Sequence, residues 1–117
     1  MEKEITVPRI EHSTLDELVA GVLESVGDSV NSIVLYGSVA RGDAEDDSDV
    51  DVALIVNKPL TRDDNERLND FFVDMDLKYG KFFSVVNILE SKFQEWREYI
   101  PFYRNIVKEG IVLWKAA

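Results

Sequence analysis

The sequence predicts an α+β (α/β layered) fold in which helices flank a small mixed β-sheet. Two segments, 13–26 and 61–79, carry apolar residues at helical spacing, and short β-branched runs lie between and after them. Because such elements must bury their apolar faces against one another, layers of helix and sheet are expected. The chain has 117 residues, 45% of them hydrophobic, which suffices for one core, so we expect a single domain over residues 1–117.

The composition excludes several classes of protein. No cysteine is present, so disulfide frameworks and thiolate metal sites are excluded, and any metal must bind oxygen ligands. The 13 basic and 23 acidic residues give a net charge of −10, which disfavours stand-alone binding to nucleic acid. The charged start Met1-Glu2-Lys3-Glu4 precedes no apolar signal region, and no run reaches membrane-spanning length, so we expect a cytoplasmic protein without membrane contact.

The first two predicted elements are a helix and a strand. Ser13 or Thr14 is the expected N-cap of the helix, and Gly27 is its expected end. The apolar positions that define this helix are Leu15, Leu18, Val19, Val22, Leu23 and Val26. The run Ile33 to Tyr36 is typical of a buried strand that enters a tight turn at Gly37-Ser38, where the serine can cap the residues that follow.

A loop, a second strand and a long helix come next. Residues 42 to 48 have the composition of a loop, and Val50 to Val56 is strongly β-forming. Thr61, with Asp64 three residues later, predicts the start of the helix, and Gly80 predicts its end. One face of this helix carries the apolar residues Leu68, Phe71, Phe72, Met75 and Tyr79.

The last third of the chain predicts two further strands. Phe82 to Leu89 is the third strand, Ser91 with Gln94 forms a capping pattern behind it, and Ile111 to Trp114 is a short final strand. Pro101 is expected to interrupt the segment between them. The aromatic residues here are expected to complete the core rather than to stack on a base or form a partner surface; they are Trp96, Tyr99, Phe102, Tyr103 and Trp114.

Asp49 and Asp51 are the candidate metal ligands. Side chains alternate along a strand, so both carboxylates project to one side, while Val50, Val52 and Leu54 can enter the core. Neighbouring like charges repel, so a cation bound by both groups explains the pair better than the alternative, a solvated acidic strand end. Mg²⁺, with Mn²⁺ as an alternative, commonly takes one or two protein carboxylates and completes its shell with water and phosphate.

The segment Gly37-Ser38-Val39-Ala40-Arg41-Gly42 is a candidate phosphate-binding turn. Glycine allows close approach of the backbone, and the residues after it can begin a helix with free amide donors. Ser38 adds a hydroxyl donor, and Arg41 either contacts phosphate or pairs with the acidic loop. If the first two strands are adjacent, phosphates would lie between this turn and the two aspartates, and catalysis would rest on positioning and charge neutralisation.

Gly37-Ser38, ten residues, then Asp49-Val50-Asp51 resembles the GS-x10-D-x-D signature of the polymerase-β-like nucleotidyltransferase superfamily. With Ser48 before the acidic pair, these motifs look like those of the minimal nucleotidyltransferases, and the length and order of elements are similar over nearly the whole chain. The resemblance implies the polymerase-β-like fold. It also implies two sets of site residues: Gly37, Ser38, Arg41 and Ser48 for nucleotide binding, and Asp49 and Asp51 as catalytic residues that bind Mg²⁺.

The resemblance further implies an activity and a partner. Members transfer a nucleoside monophosphate from a triphosphate to a hydroxyl or similar acceptor and release pyrophosphate, so we expect ATP as donor and a protein or small molecule as acceptor. Small members are often paired with a helical HEPN-domain protein, as antitoxin to its ribonuclease toxin, so a homo- or hetero-oligomer is expected. The alternative is a catalytically weak or inactive nucleotide-binding subunit that neutralises a HEPN partner by binding.

Many family members carry a third carboxylate on a later strand, and no equivalent can be placed here. The corresponding strand has the neutral polar residues Ser84 and Asn87, and Glu90 at its end is the candidate substitute. Asp74 and Asp76 have a similar local pattern, but they fall in the second long helix, where we expect them to face solvent.

Overall fold

The computed structural model describes residues 10–45 and 48–117, so positions 46 and 47 of the predicted loop and the segment 1–9 lie outside the described residues. The described chain forms α1 (His12–Val26), β1 (Val30–Tyr36), α2 (Gly37–Arg41), β2 (Val50–Val56), α3 (Arg62–Tyr79), β3 (Phe83–Leu89), α4 (Glu90–Trp96), α5 (Pro101–Glu109) and β4 (Ile111–Lys115). A single 3₁₀ turn, Gly27–Ser29, joins α1 to β1.

The four strands form one mixed sheet in the order β3-β2-β1-β4. Strand β1 is antiparallel to both β2 and β4, whereas β2 and β3 are parallel. Parallel neighbours need a crossover connection, and α3 supplies it between β2 and β3. The predicted class, a small mixed sheet flanked by helices, is confirmed.

Side-chain alternation along β2 divides the core between the two faces of the sheet. On one face, apolar residues of β2 pack with those of α1 and α3; the β2 residues are Val50, Val52, Leu54 and Val56. On the other face, Ala53 and Ile55 pack with Phe93 of α4 and Ile106 of α5. Because both faces of β2 are covered, its sequence is a nearly continuous apolar run. The polar residue of this strand, Asp51, lies near its start.

Helix α3 begins and ends where the sequence predicts. The Asp64 amide donates to Thr61 Oγ1 at 3.0 Å, and the Thr61 amide donates to Asp64 Oδ2 at 2.9 Å. These reciprocal bonds satisfy amide groups that the first turn would otherwise leave without partners. Gly80 follows the helix with φ +63°, a left-handed conformation that glycine adopts without steric cost.

The other predicted N-caps, at Ser13 or Thr14, Ser38 and Ser91, are wrong. Helix α1 begins after Glu11, and Thr14 is buried in its first turn. Helices α2 and α4 follow β1 and β3 without an intervening residue, so Ser38 and Ser91 lie inside them, and neither helix has a side-chain cap. A capping serine must occupy the extended residue before the helix, and in both places the last residue of a strand already holds that position.

Pro101 begins a helix instead of only interrupting one. It lies at the start of α5, where its missing amide costs no intrahelical hydrogen bond. The predicted final strand is confirmed as β4, which lies at the edge of the sheet beside β1. Within residues 10–45 and 48–117, no helix is long and apolar enough to cross a bilayer.

The expectation that the C-terminal aromatic residues complete the core is wrong for three of the five. Trp96, Tyr99 and Phe102 are 45%, 72% and 41% exposed. Tyr103 and Trp114 are partly buried and pack against the core. Helices α4 and α5 are short and each buries a single anchor residue, so rings on their other faces remain outside the core.

Candidate active site

Asp51 lies in the first half of β2, between two neighbouring strands. It is in register with Tyr36 of β1 on one side and with Ser84 of β3 on the other. Directly opposed residues of neighbouring strands place their side chains on the same face of the sheet. By alternation from Ala53, that face is the one covered by α4 and α5. The predicted adjacency of the first two strands is therefore confirmed.

Gly37 brings the turn after β1 directly against Asp51. A Cβ on Gly37 would lie 2.2 Å from Oδ2 of Asp51 and 3.3 Å from its Cβ, so only a hydrogen atom fits between them. Gly37 also has φ +79°, which L-residues with a side chain rarely adopt. Strand β1, the turn and the carboxylate of β2 thus meet in one small space.

The charge on Asp51 is destabilised by its surroundings. Burial raises the pKa of Asp51, the negative charge of Asp49 raises it further, and the Arg41 guanidinium partly opposes both effects. Burial, together with the charge of Asp51, also raises the pKa of the Tyr36 phenol. Asp49 itself is exposed, just before the start of β2. A cation beside Asp49 and Asp51 would remove this repulsion.

The donor set fits a hard divalent cation with an incomplete protein shell. Asp49 and Asp51 supply carboxylate oxygens, and the absence of a side chain at Gly37 lets the backbone of the turn lie against the Asp51 carboxylate. In the described part of the chain, no group of three or more His, Asp or Glu residues is arranged to enclose a metal ion. Two carboxylates with the remaining positions left to water and phosphate are the arrangement that Mg²⁺ commonly takes in nucleotide sites.

Arg41 is paired within the fold. Its Nε donates to Asp43 Oδ2 at 3.2 Å, and its Nη1 donates to Glu109 Oε1 at 3.2 Å. These carboxylates raise the pKa of Arg41, with Asp43 the larger influence. The ion pair predicted as one of two roles for Arg41 is present, and it ties α2 to the end of α5. Its guanidinium still lies close enough to Asp51 to lower the pKa of that acid.

The two serines of the motif have different environments. Ser38 is half-buried in α2, and its carbonyl oxygen accepts the amides of Gly42 at 3.0 Å and Asp43 at 3.1 Å. Ser48 Oγ accepts the amide of Glu45 at 2.8 Å, and the Ser48 amide donates to the Glu45 carbonyl oxygen at 3.1 Å. Ser48 therefore fixes the end of the loop that leads into Asp49.

Of the two neutral polar residues on the strand where a third carboxylate is expected, Ser84 is the one near Asp51. It lies directly beside Asp51, whereas Asn87, three residues later, projects from the opposite face. Glu90 follows Leu89, the β3 residue paired with Val56, and it lies at the far end of the sheet from Asp51. Because β2 and β3 are parallel, the end of β3 lies beside the end of β2, whereas Asp51 is near the start of β2. The suggestion that Glu90 substitutes for the missing acid is therefore wrong.

The acidic pair of α3 is only partly a surface feature. Asp74 is exposed, as expected. Asp76 is half-buried, and its Oδ1 accepts the amide of Phe83 at 2.9 Å. Asp76 thus anchors the first residue of β3, and the expectation that it faces solvent is wrong. The helical pattern locates Asp76 correctly but gives no sign of the strand amide that reaches it.

Two residues lie near the site whose positions the sequence does not predict. The sequence places Tyr36 at the start of the motif segment without giving it a role, and its place beside Asp51 follows from the pairing of β1 with β2. Phe102 of α5 contacts Tyr36, with ring centres 5.5 Å apart and ring planes at 81°. The aromatic character of both positions is visible in the sequence, but their proximity to the acid depends on strand pairing and helix packing.

The sequence model of the Polymerase beta nucleotidyltransferase family matches residues 19–117, a range that includes the turn at Gly37 and both aspartates. The chain therefore belongs to this family, and its class is that of the nucleotidyltransferases. The fold agrees with this assignment, since the glycine-serine turn follows one strand and the acidic pair opens its neighbour.

Two relatives from Methanocaldococcus jannaschii carry the provisional name protein adenylyltransferase. One is 28% identical over 104 residues, which are 89% of this chain and 98% of the relative. The other is 38% identical over 71 residues, which are 59% of this chain and 48% of the relative. A chain from the crystal structure of a toxin-antitoxin with AMP-PNP shares the fold, with a TM-score of 0.60 at 16% identity over 87% of this chain and 73% of that chain.

Proposed function

We propose that this chain is a Mg²⁺-dependent nucleotidyltransferase that transfers AMP from ATP to a hydroxyl group of a protein or a small molecule. The acceptor oxygen forms a bond to the α-phosphorus, and the bond from that phosphorus to the oxygen it shares with the β-phosphate breaks. Pyrophosphate leaves with the electron pair of the broken bond, and the acceptor proton passes to water. The products are an adenylylated acceptor, pyrophosphate and a proton.

Each site residue has a part in this reaction. Asp49 and Asp51 would hold the Mg²⁺ ion, which supplies charge neutralisation and alignment of the phosphates when bound. Gly37 admits the phosphates close to the backbone, and Ser38 donates its hydroxyl to them. Arg41, held by Asp43 and Glu109, contributes positive charge at the edge of the site.

The observation that carries the proposal is the contact between the turn and the acid. Gly37 lies against the Asp51 carboxylate, so the proposed phosphate-binding turn and the proposed cation ligand are in direct contact. A solvated strand end has no need for a glycine at this position or for a half-buried carboxylate whose pKa burial and Asp49 raise. A bridging cation and triphosphate account for both features.

For the acceptor, we propose a protein, and for the partner, a helical HEPN-domain protein in the cytoplasm. The resemblance to the minimal nucleotidyltransferases implies such a pairing. The provisional name of the Methanocaldococcus jannaschii relatives, protein adenylyltransferase, supports a protein acceptor. That a fold neighbour comes from a toxin-antitoxin with AMP-PNP supports ATP as donor and a toxin as partner.

Labelled ATP tests the reaction. The protein is incubated with Mg²⁺, a candidate partner and ATP labelled at either the α- or the γ-phosphate. We expect label to reach the acceptor only from the α-phosphate, to require Mg²⁺, and to be lost in the variant with Asp49→Asn and Asp51→Asn. Asp74→Asn, an exposed aspartate on α3, is the matched control and should transfer normally. Transfer that persists in the double variant, or that comes from the γ-phosphate, would contradict the proposal.

A second function is favoured by the neutral residue beside Asp51. Because Ser84 stands where a third carboxylate would activate the acceptor, the chain is alternatively a weak or inactive nucleotide-binding subunit that neutralises its HEPN partner by binding. The same double aspartate variant separates the two functions. Under the first, the variant fails to modify and to silence the partner's ribonuclease; under the second, it still silences the ribonuclease and no transfer is detected with either protein.

A further inference from the structure

One side of Asp51 is aromatic. Tyr36 lies directly beside Asp51 on β1 and projects from the same face of the sheet. Phe102, at the start of α5, packs edge-to-face on Tyr36, with ring centres 5.5 Å apart. Phe102 is nevertheless 41% exposed, so the rest of its ring is open to solvent. We refer to the pair Tyr36 and Phe102 as the aromatic shelf.

The other sides of Asp51 are polar. On β3 its neighbour is Ser84, and the exposed acid Asp49 lies two residues before it in the chain. Of the two residues that flank Asp51 in the sheet, Tyr36 is the aromatic one. Of the strand residues paired with Asp51, the one that offers an apolar surface to an uncharged ring system is therefore Tyr36, and with Phe102 it forms the aromatic shelf.

We propose that the aromatic shelf binds the nucleobase of the triphosphate, with the base stacked on the open side of Phe102 and Tyr36 holding that ring in place. This inference rests on the proposed nucleotide transfer and adds the base-binding residue to it. Gly37, where the phosphates would bind, directly follows Tyr36 in the chain, so the shelf adjoins the proposed phosphate-binding turn. Every base has a π-face, so stacking binds the nucleotide without selecting a base by hydrogen bonds.

The neighbouring exposed rings have a different arrangement and provide the control. Trp96 and Tyr99 contact each other, with ring centres 6.3 Å apart, and Tyr99 is 72% exposed. They belong to the end of α4 and the link that follows, whereas Phe102 belongs to α5 and contacts the strand beside Asp51. If any exposed ring could hold the base, removing Tyr99 would weaken nucleotide binding as much as removing Phe102.

The test compares the binding of ATP with that of inorganic tripolyphosphate, both with Mg²⁺, by calorimetry. Phe102→Ala should weaken ATP binding between about fivefold and about 150-fold, the usual loss for one stacked base, and leave tripolyphosphate binding unchanged. Phe102→Trp should restore ATP binding, whereas Phe102→Leu, which keeps an apolar contact to Tyr36 but has no ring, should not. Tyr99→Ala should bind both ligands as the wild type does.

The outcomes distinguish this inference from the proposed function. If ATP binding depends on Asp51 but is unchanged in Phe102→Ala, the shelf does not hold the base and only the inference fails. Rescue by Phe102→Leu would show a packing role and would also overturn it. If Phe102→Ala loses binding of a protein partner while keeping that of ATP, the shelf is a docking surface. If wild type binds neither ligand, the proposed function fails together with the inference.

Discussion

Gly37 lies so close to Asp51 that the two positions cannot be varied independently. A Cβ on Gly37 would be 2.2 Å from Oδ2 and 3.1 Å from the carboxyl carbon of Asp51. No pair of non-bonded heavy atoms tolerates the shorter distance, so a side chain at position 37 must displace the carboxylate. The glycine of the turn therefore determines where the acid of the next strand can lie.

Gly37→Ala should abolish most of the activity while leaving the fold in place. The methyl group moves the Asp51 carboxylate, and a displacement of about 1 Å at a reacting centre can reduce a rate by roughly 100-fold. The positive φ of +79° adds a cost of about 1–2 kcal/mol in the free energy of unfolding. Transfer assays and urea denaturation measure the two effects.

Gly80→Ala is the matched control for that substitution. Gly80 also has a positive φ, +63°, but a Cβ there would meet nothing within 4 Å. It should therefore lose about 1–2 kcal/mol of stability from the backbone and retain full activity. Equal loss of activity in the two variants would show that Gly37 acts through stability alone, and our account of the contact with Asp51 would be wrong.

Ser84→Asp should increase the rate of transfer. The new carboxylate would stand beside Asp51 on the same face of the sheet, where it can accept the acceptor proton and contact the cation. General base catalysis commonly contributes a factor of 100 or more, and we expect about tenfold in a site not adapted to it. The measurement is the initial rate of AMP transfer with saturating Mg²⁺.

Asn87→Asp provides the comparison for Ser84→Asp. Asn87 lies on the same strand and is also polar, but it projects from the opposite face and is exposed. The substitution adds the same charge without placing it beside Asp51, so the rate should be unchanged. A similar increase in rate from both variants would point to a general effect of charge. A lower rate for a correctly folded Ser84→Asp variant would show that position 84 is not the place of a third catalytic acid.

The sequence predicts much of this architecture because local patterns and burial agree. Strand β2 has the predicted bounds, Val50–Val56, since a strand covered on both faces is a continuous apolar run. Helix α3 has the predicted start and end because Thr61 and Gly80 act through their own backbone neighbours. Features that depend on a few adjacent residues can be inferred from those residues.

The remaining features depend on which elements become neighbours. That Ser84 lies beside Asp51 and Glu90 far from it follows from the parallel register of β2 and β3. That Tyr36 and Phe102 meet follows from the packing of α5 on the sheet. Neither relationship has a local pattern, because the residues involved are far apart in the chain. The spacing of the motif predicts the acids and the turn but not the residues that complete their surroundings.

Thr61→Ala should destabilise the protein by about 1 kcal/mol without affecting transfer, because it removes one half of a capping box remote from Asp51. Ser91→Ala is the companion variant. Ser91 has a capping pattern in sequence but lies inside α4, which has no side-chain cap, so the free energy of unfolding should change little. Urea denaturation of both variants measures the contrast. An equal loss from Ser91→Ala would restore the capping interpretation that the structure contradicts.

Tyr79→Phe should weaken stability in a way that depends on pH. The Tyr79 hydroxyl donates to the Glu17 carboxylate, and this bond, followed by that from Lys78, lowers the pKa of Glu17 below its ordinary value of 4.5. A carboxyl group with a lowered pKa stabilises the folded state above its unfolded value, and the contribution is lost as the pH falls through the lowered pKa. The difference in unfolding free energy between wild type and Tyr79→Phe should therefore be constant near neutral pH and shrink below pH 4.5.

The same comparison in a Glu17→Gln background should show no such decline, since the titrating partner is gone. A decline that persists in that background would assign the effect to another acid.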